Sequence, residues 1–183
     1  MREEFYENSV GPQNERTQKF FYRIYQFLFG LAIAVLIIML YFFLLWLDVG
    51  FLVFAGIALL FGTGCFFVKR RLMNYFDYTF VSGEIRIVKV INGKSRKLKL
   101  KFDSKDVYQV GKVGSESYEK LSATPGIKVN VVTPNGFSAQ KQLYYIAAKI
   151  LGENQLIVME CEEKFLSYIV MHRGNSIIEK DYK

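Results

Sequence analysis

The chain has 183 residues, a formal net charge of +7, 51% hydrophobic residues, two cysteines and one histidine. That length holds one domain or two, with a modest core. Two well-separated cysteines, Cys65 and Cys161, exclude a disulfide framework or a thiolate metal site, and a single histidine excludes the common zinc-hydrolase constellations.

Residues 1–26 balance four basic against four acidic side chains, whereas residues 69–183 hold 20 Lys and Arg against 12 Asp and Glu. The basic surplus therefore lies in the C-terminal part. Residues 1–23 read as a polar N-terminal arm. No small-residue cleavage site follows it, so it does not read as a cleavable secretory signal.

Phe27 to Val68 is almost wholly apolar, and Asp48 is its only formal charge. The stretch is about twice the roughly 20 residues that one helix needs to cross hydrocarbon. Asp48 and Gly50 divide it, which predicts a transmembrane helical hairpin over residues 24–71 with spans near 24–47 and 50–68. Arg16, Lys19 and Arg23 precede it; Lys69, Arg70 and Arg71 follow it; the turn carries no basic residue. By the positive-inside rule both termini are expected in the cytosol, as a multi-pass protein of the cell membrane. Tyr22, Tyr25, Phe27 and Phe29 at one end, and Tyr41, Phe42, Phe43 and Trp46 at the other, suit the two water interfaces. Gly30 and Ala34, and likewise Ala58 and Gly62, are four apart. They are the candidates for close helix packing, where small side chains let backbones approach. Neither span holds an Asp, Glu, Lys, Arg or His, which favours an anchor over a transporter or channel.

After Arg71 the pattern alternates. Tyr78, Phe80, Ile85 and Ile87 begin a β-rich cytosolic domain over residues 72–183. Asn92-Gly93 suits a two-residue hairpin turn. That turn would set Ile91 opposite Lys94, Ile87 opposite Leu98, Ile85 opposite Leu100 and Arg86 opposite Lys99. The polar face then carries Arg86, Lys97, Lys99 and Lys101, with Lys94 and Arg96 near the tip. These six residues are the candidates for contact with anionic lipid head groups, each worth roughly 1 kcal/mol beside an anionic leaflet. The plainer alternative is a solvated strand face whose lysines block edge pairing.

Asp106 to Val110 suggests a short extended piece. Gly111 to Gly126 reads as a long surface loop in which Ser115 to Leu121 can make a helical turn or two. Its Gly111-Lys112-Val113-Gly114-Ser115 lacks the ending of a phosphate loop. Ile127, Val129 and Val131 alternate as a strand that Pro134-Asn135-Gly136 ends. Leu143 to Leu151 fits either a helix face or a strand. The strand is preferred because Leu156 to Cys161 otherwise lacks a neighbour, with Gly152 to Gln155 turning between them. Phe165, Leu166, Ile169 and Val170 form a helical stripe, with Glu162 and Glu163 at its start and His172, Arg173 and Gly174 at its end. Ser176 to Lys183 reads as a mostly polar tail.

Strands, a long loop, more strands and a final amphipathic helix is the order of a pleckstrin-homology-like (PH-like) domain, a bent antiparallel sheet capped by its C-terminal helix. Tyr78-Thr79-Phe80-Val81-Ser82-Gly83-Glu84-Ile85, Arg96-Lys97, Gly114-Ser115-Glu116-Ser117-Tyr118 and Glu162-Glu163-Lys164-Phe165-Leu166 resemble an uncharacterised family of small bacterial membrane proteins. The resemblance implies an α+β membrane protein, in which a two-helix transmembrane hairpin is followed by a cytosolic, antiparallel β-rich PH-like domain. It implies no catalytic residues.

Together these readings predict a non-catalytic, membrane-anchored binding or scaffold protein with no cofactor, no metal and no nucleic-acid partner. Its expected partners are anionic lipid or an unknown membrane or cytosolic protein, and homo-oligomers are allowed. The alternative is an accessory subunit of a larger membrane complex that associates through the hairpin.

Overall fold

The structure is a computed structural model that describes residues 5–139 and 141–179. The chain forms two compact units, residues 14–74 and the described parts of 1–13 and 75–183.

The first unit is an antiparallel helix pair, α1 (Glu15–Trp46) and α2 (Val49–Leu72). Only Leu47 and Asp48 connect them. Leu47 takes a left-handed conformation (φ 53°) and its N–H caps the Phe43 carbonyl. Asp48 caps α2, its Oδ1 accepting from the Gly50 N–H at 2.8 Å. Lys69, Arg70 and Arg71 occupy the last turn of α2, where the helix dipole favours cations. Only 6% and 17% of the residues in the most apolar windows of the two helices are buried. Leu44, Trp46 and Leu60 are more than 70% exposed, so the apolar surface of the pair is not covered by the described chain. Both helices are long and apolar enough to cross a membrane.

The second unit begins before the hairpin. Residues 5–10, expected to be part of an arm, form β1 (Phe5–Val10), which pairs antiparallel with β2 (Asn74–Val81), from Phe5 opposite Val81 to Val10 opposite Phe76. The helical hairpin is thus inserted between two adjacent strands of one sheet. β3 (Glu84–Ile91) and β4 (Ser95–Asp103) complete that sheet in the order β1-β2-β3-β4. A second sheet has the order β5-β7-β8-β6, from β5 (Val107–Lys112), β6 (Lys128–Val131), β7 (Tyr144–Ile150) and β8 (Glu153–Met159). α3 (Glu116–Ala123) and α4 (Glu163–Arg173) complete the unit.

Leu143 to Leu151 resolves as a strand. β7 is buried on both faces, so its sequence shows a continuous apolar run where a half-buried strand would alternate. One face, with Tyr144, Ile146 and Ala148, joins the main core. The other, with Tyr145 and Ala147, packs with Leu156 under Val113, Tyr118, Leu121 and Ile127 in and around α3. The expected surface loop is therefore a strand end and a helix that cover the second sheet. The turn after β7 is Leu151-Gly152, both at positive φ, so β8 starts at Glu153, three residues earlier than the expected turn over Gly152 to Gln155 allows. β6 and β8 both run opposite to β7, which makes their pairing parallel, a departure from the antiparallel pattern of the other described strand pairs.

The main core lies between the sheets. Phe76, Tyr78, Phe80, Ile85, Ile87 and Phe102 from the first sheet meet Ile146, Ile157 and Met159 from the second. α4 closes it with Phe165, Leu166 and Ile169. Each such side chain contributes about 1.5–3 kcal/mol relative to exposure. Tyr78 donates its hydroxyl to the Val132 carbonyl at 2.6 Å, which satisfies its polar end inside the core. Burial pushes that hydroxyl well above the ordinary tyrosine range.

Candidate functional site

The basic hairpin departs from the expected register. Asn92 and Gly93 both take positive φ, and the Lys94 N–H donates to the Ile91 carbonyl at 3.2 Å, as a tight turn requires. The strand partner of Ile91, however, is Ser95. A bulge then leaves Lys99 as an extra residue, because Val88 pairs with Leu98 but Ile87 pairs with Leu100. The two slips add to two residues, so inward and outward alternation at the base survives. Ile85 faces Phe102, and Arg86 faces Lys101 in place of Lys99. Leu98, expected on the apolar face, is 54% exposed.

The six basic candidates therefore divide. Arg86 and Lys101 both pair with the Glu84 carboxylate, Lys101 at 3.0 Å, which offsets their mutual repulsion. Hydrogen bonds from Lys101 and then Arg86 hold the Glu84 carboxyl below its usual range. Arg96 lies 4.0 Å from buried Asp77, which also accepts from Ser9 Oγ at 2.7 Å. Lys94, Lys97 and Lys99 are in no ion pair among the described residues. Lys97 and Lys99 lie exposed on edge strand β4. The three form the uncompensated part of the patch.

The helix-packing candidates divide too. Ala58 and Gly62 are buried between α1 and α2, and a Cβ on Gly62 would meet the Ala32 Cβ at 3.2 Å. Gly30 and Ala34 face away, with open space around Gly30. The α2 seam is Ala55, Ala58, Gly62 and Cys65, against Ala32 of α1. Its 3-4-3 spacing is that of side-by-side helices and was readable in the sequence. The four-residue pair within α1 lies off this seam. At the basic end of the pair, Lys69 Nζ lies 5.3–5.9 Å from the ring centres of Phe29, Tyr22 and Phe66.

Two further polar constellations have no short sequence signal, because their members are distant in the chain. A cleft of about 300 Å³ is lined by residues 8–13, Lys141 and residues 160–162. Buried Glu160 accepts there from Thr133 Oγ1 (3.1 Å) and Asn135 Nδ2 (2.8 Å). Asn135 also holds the turn between β1 and α1, accepting from the Gln13 N–H at 2.9 Å. Tyr6 donates to Glu162 at 2.8 Å, and burial, then that carboxylate, pushes its hydroxyl up to about 12. The second constellation surrounds Glu179, beyond α4. His172 lies at the end of α4, its ring 5.5 Å from that of Phe80 in an edge-to-face packing. No group of three or more His, Cys, Asp or Glu among the described residues could hold a metal ion.

Strands before and after an inserted helix pair, two sheets and a closing C-terminal helix make an architecture that the family comparison matches almost end to end. The family model of a bacterial PH-like domain (DUF6106) covers residues 3–179. The chain belongs to this family. The match takes in both helices as well as the sheets, so the inserted hairpin lies within the family's matched span. Comparison with curated proteins and with solved structures finds no match. A PH-like domain suits a binding or scaffold role, and such domains are generally non-catalytic.

Proposed function

We propose that this PH-like protein is a non-catalytic, membrane-anchored binding module whose β3–β4 hairpin contacts the inner leaflet. The observation that carries the reading is the set of three uncompensated lysines, Lys94, Lys97 and Lys99, on one turn and its edge strand. β2 runs away from the residues that join it to α2, and β3 runs back. The Asn92-Gly93 turn therefore lies at the same end of the sheet as the Val10–Phe76 pair, where the chain leaves for the helices and returns.

The pairing of β1 with β2 also supports the topology. Two strands that flank the helices fold into one sheet, which supports placing both flanks on one side of the membrane with an even number of crossings. Basic residues bracket the pair and are absent from its turn, which supports the cytosol as that side.

The test uses residues 5–13 joined to 75–179 and vesicles with and without anionic lipid. Reversing Lys94, Lys97 and Lys99 to Glu removes at least about 3 kcal/mol, roughly a hundredfold in binding at low salt. Reversing Arg86 and Lys101 has a smaller effect, because Glu84 already offsets their charge. Equal binding by all forms sinks the lipid reading.

A second reading is supported by the placement of Gly30 and Ala34 on the exposed face of α1. In an accessory subunit that face would meet a partner's helix. Loss of a stoichiometric integral partner on Gly30→Leu, with the helix pair intact, would favour it.

A further inference from the structure

The residues after α4 are held as a bound peptide is held. Gly174 ends the helix at φ 99°, a conformation that suits glycine, and Asn175–Ile177 makes a single 3-10 turn. Ile177 enters the main core at 4% exposure. Ile178 then lies beside Val110 of β5 in a parallel bridge, and the Glu179 N–H donates to the Val110 carbonyl at 2.9 Å. The Glu179 carboxylate is 4% exposed. It accepts from the Lys112 N–H at 2.6 Å, Ser115 Oγ at 2.6 Å and the Tyr145 hydroxyl at 2.9 Å. Gln109 Nε2 donates in turn to that hydroxyl at 3.0 Å. A Cβ on Gly111 would overlap the carboxylate, and the three atoms nearest to it all belong to Glu179. Glycine at this position opens a socket for one acidic side chain.

We infer that the β5 edge and the Gly111 socket form a binding site for an extended apolar–apolar–Glu strand. Residues 177–179 fill the site in cis, and the same segment of a second copy fills it in trans. Backbone pairing at a strand edge supplies affinity, and the socket supplies selection. The groups that recognise Ile178 and Glu179 lie on β5, on β7 and at the start of α3. None of them requires the segment to continue from the same molecule's α4. A second copy carries the identical segment behind the same glycine hinge, so exchange reproduces every contact.

The test uses the full chain in detergent. Glu179→Lys releases the tail and leaves the socket; Gly111→Ala fills the socket and leaves the tail. The probe is an acetylated, amidated peptide of residues 174–179. The Glu179→Lys chain is expected to bind it at least tenfold more tightly than the unsubstituted chain, whose site is filled. Adding Gly111→Ala to Glu179→Lys abolishes that binding. Differently tagged Glu179→Lys and Gly111→Ala chains form a mixed pair, and neither pairs by this route alone. The inference is overturned if a folded Glu179→Lys chain captures neither peptide nor partner. It is equally overturned if peptide binds but no mixed pair forms. It also fails if Glu179→Lys loses its β-sheet circular dichroism, because the tail is then a fixed part of the fold.

Discussion

Joining residues 5–13 directly to 75–179 is expected to give a soluble, monomeric domain, whereas residues 75–183 alone are not. Val10 and Phe76 are register partners, so a short turn can replace the whole helix pair without moving either strand. The fragment without β1 loses the Tyr6 ring, which packs 5.9 Å from Phe165 and 5.5 Å from Tyr168 between ring centres. It also loses Val10, and Asp77, only 7% exposed, loses its Ser9 donor. Partial burial of two apolar side chains contributes about 2–3 kcal/mol. A buried acceptor stripped of a donor costs about 1–3 kcal/mol more. The loss, about 3–6 kcal/mol, is comparable to the whole stability of many domains of this size. Removing β1 also opens the edge of β2 to pairing between molecules. Urea titration with size-exclusion chromatography measures both effects. The joined form should unfold cooperatively as a monomer, with a midpoint higher by about 2 M for an m-value near 2 kcal/mol/M. Midpoints equal within error, with both forms monomeric, would refute the claim that β1 belongs to the sheet.

Gly62→Leu should weaken the helix pair by about 1–3 kcal/mol through overpacking against Ala32. Gly30→Leu should leave it unchanged, and a fluorescence-transfer pair on the two helices in micelles distinguishes them. Ser115→Ala or Tyr145→Phe should each cost about 1–3 kcal/mol in urea unfolding, because each removes a donor from the buried Glu179 carboxylate. Alkaline pH should destabilise the domain. Tyr6, Tyr78 and Tyr145 hold their protons more tightly folded than unfolded, so their contribution is intact below pH 10 and is lost above it. For Tyr6 that window runs from 10 to about 12, and a melting-temperature series with and without Tyr6→Phe should show it.

The helix pair was legible because its signal is one-dimensional: a long apolar run, one break, and basic flanks. α4 was legible for the same reason, from its stripe and its terminal charges. β1 was not, because Phe5 to Val10 is short and its alternation mixes polar with apolar residues. Its partner lies beyond the 61 residues of the helical unit. β7 was ambiguous because burial on both faces erases the two-residue period. In the basic patch, residue types were readable but register was not. A one-residue shift at the turn and a bulge at Lys99 together moved the partner of Arg86 from Lys99 to Lys101, and only the fold shows Glu84 between the two charges. Glu179 read as part of a polar tail, since nothing local marks a carboxylate whose three donors lie 34 to 67 positions away.

The central claim is that one PH-like sheet is built from both flanks of a helix pair that crosses the membrane twice. Single cysteines at Glu7, Val49 and Lys97, in a chain with Cys65→Ala and Cys161→Ala, test it most directly. Intact cells are treated with a membrane-impermeant maleimide. The account predicts labelling at position 49 alone, with positions 7 and 97 reacting only after permeabilisation. Labelling at 7 or 97 in sealed cells, or opposite behaviour of those two positions, would contradict it.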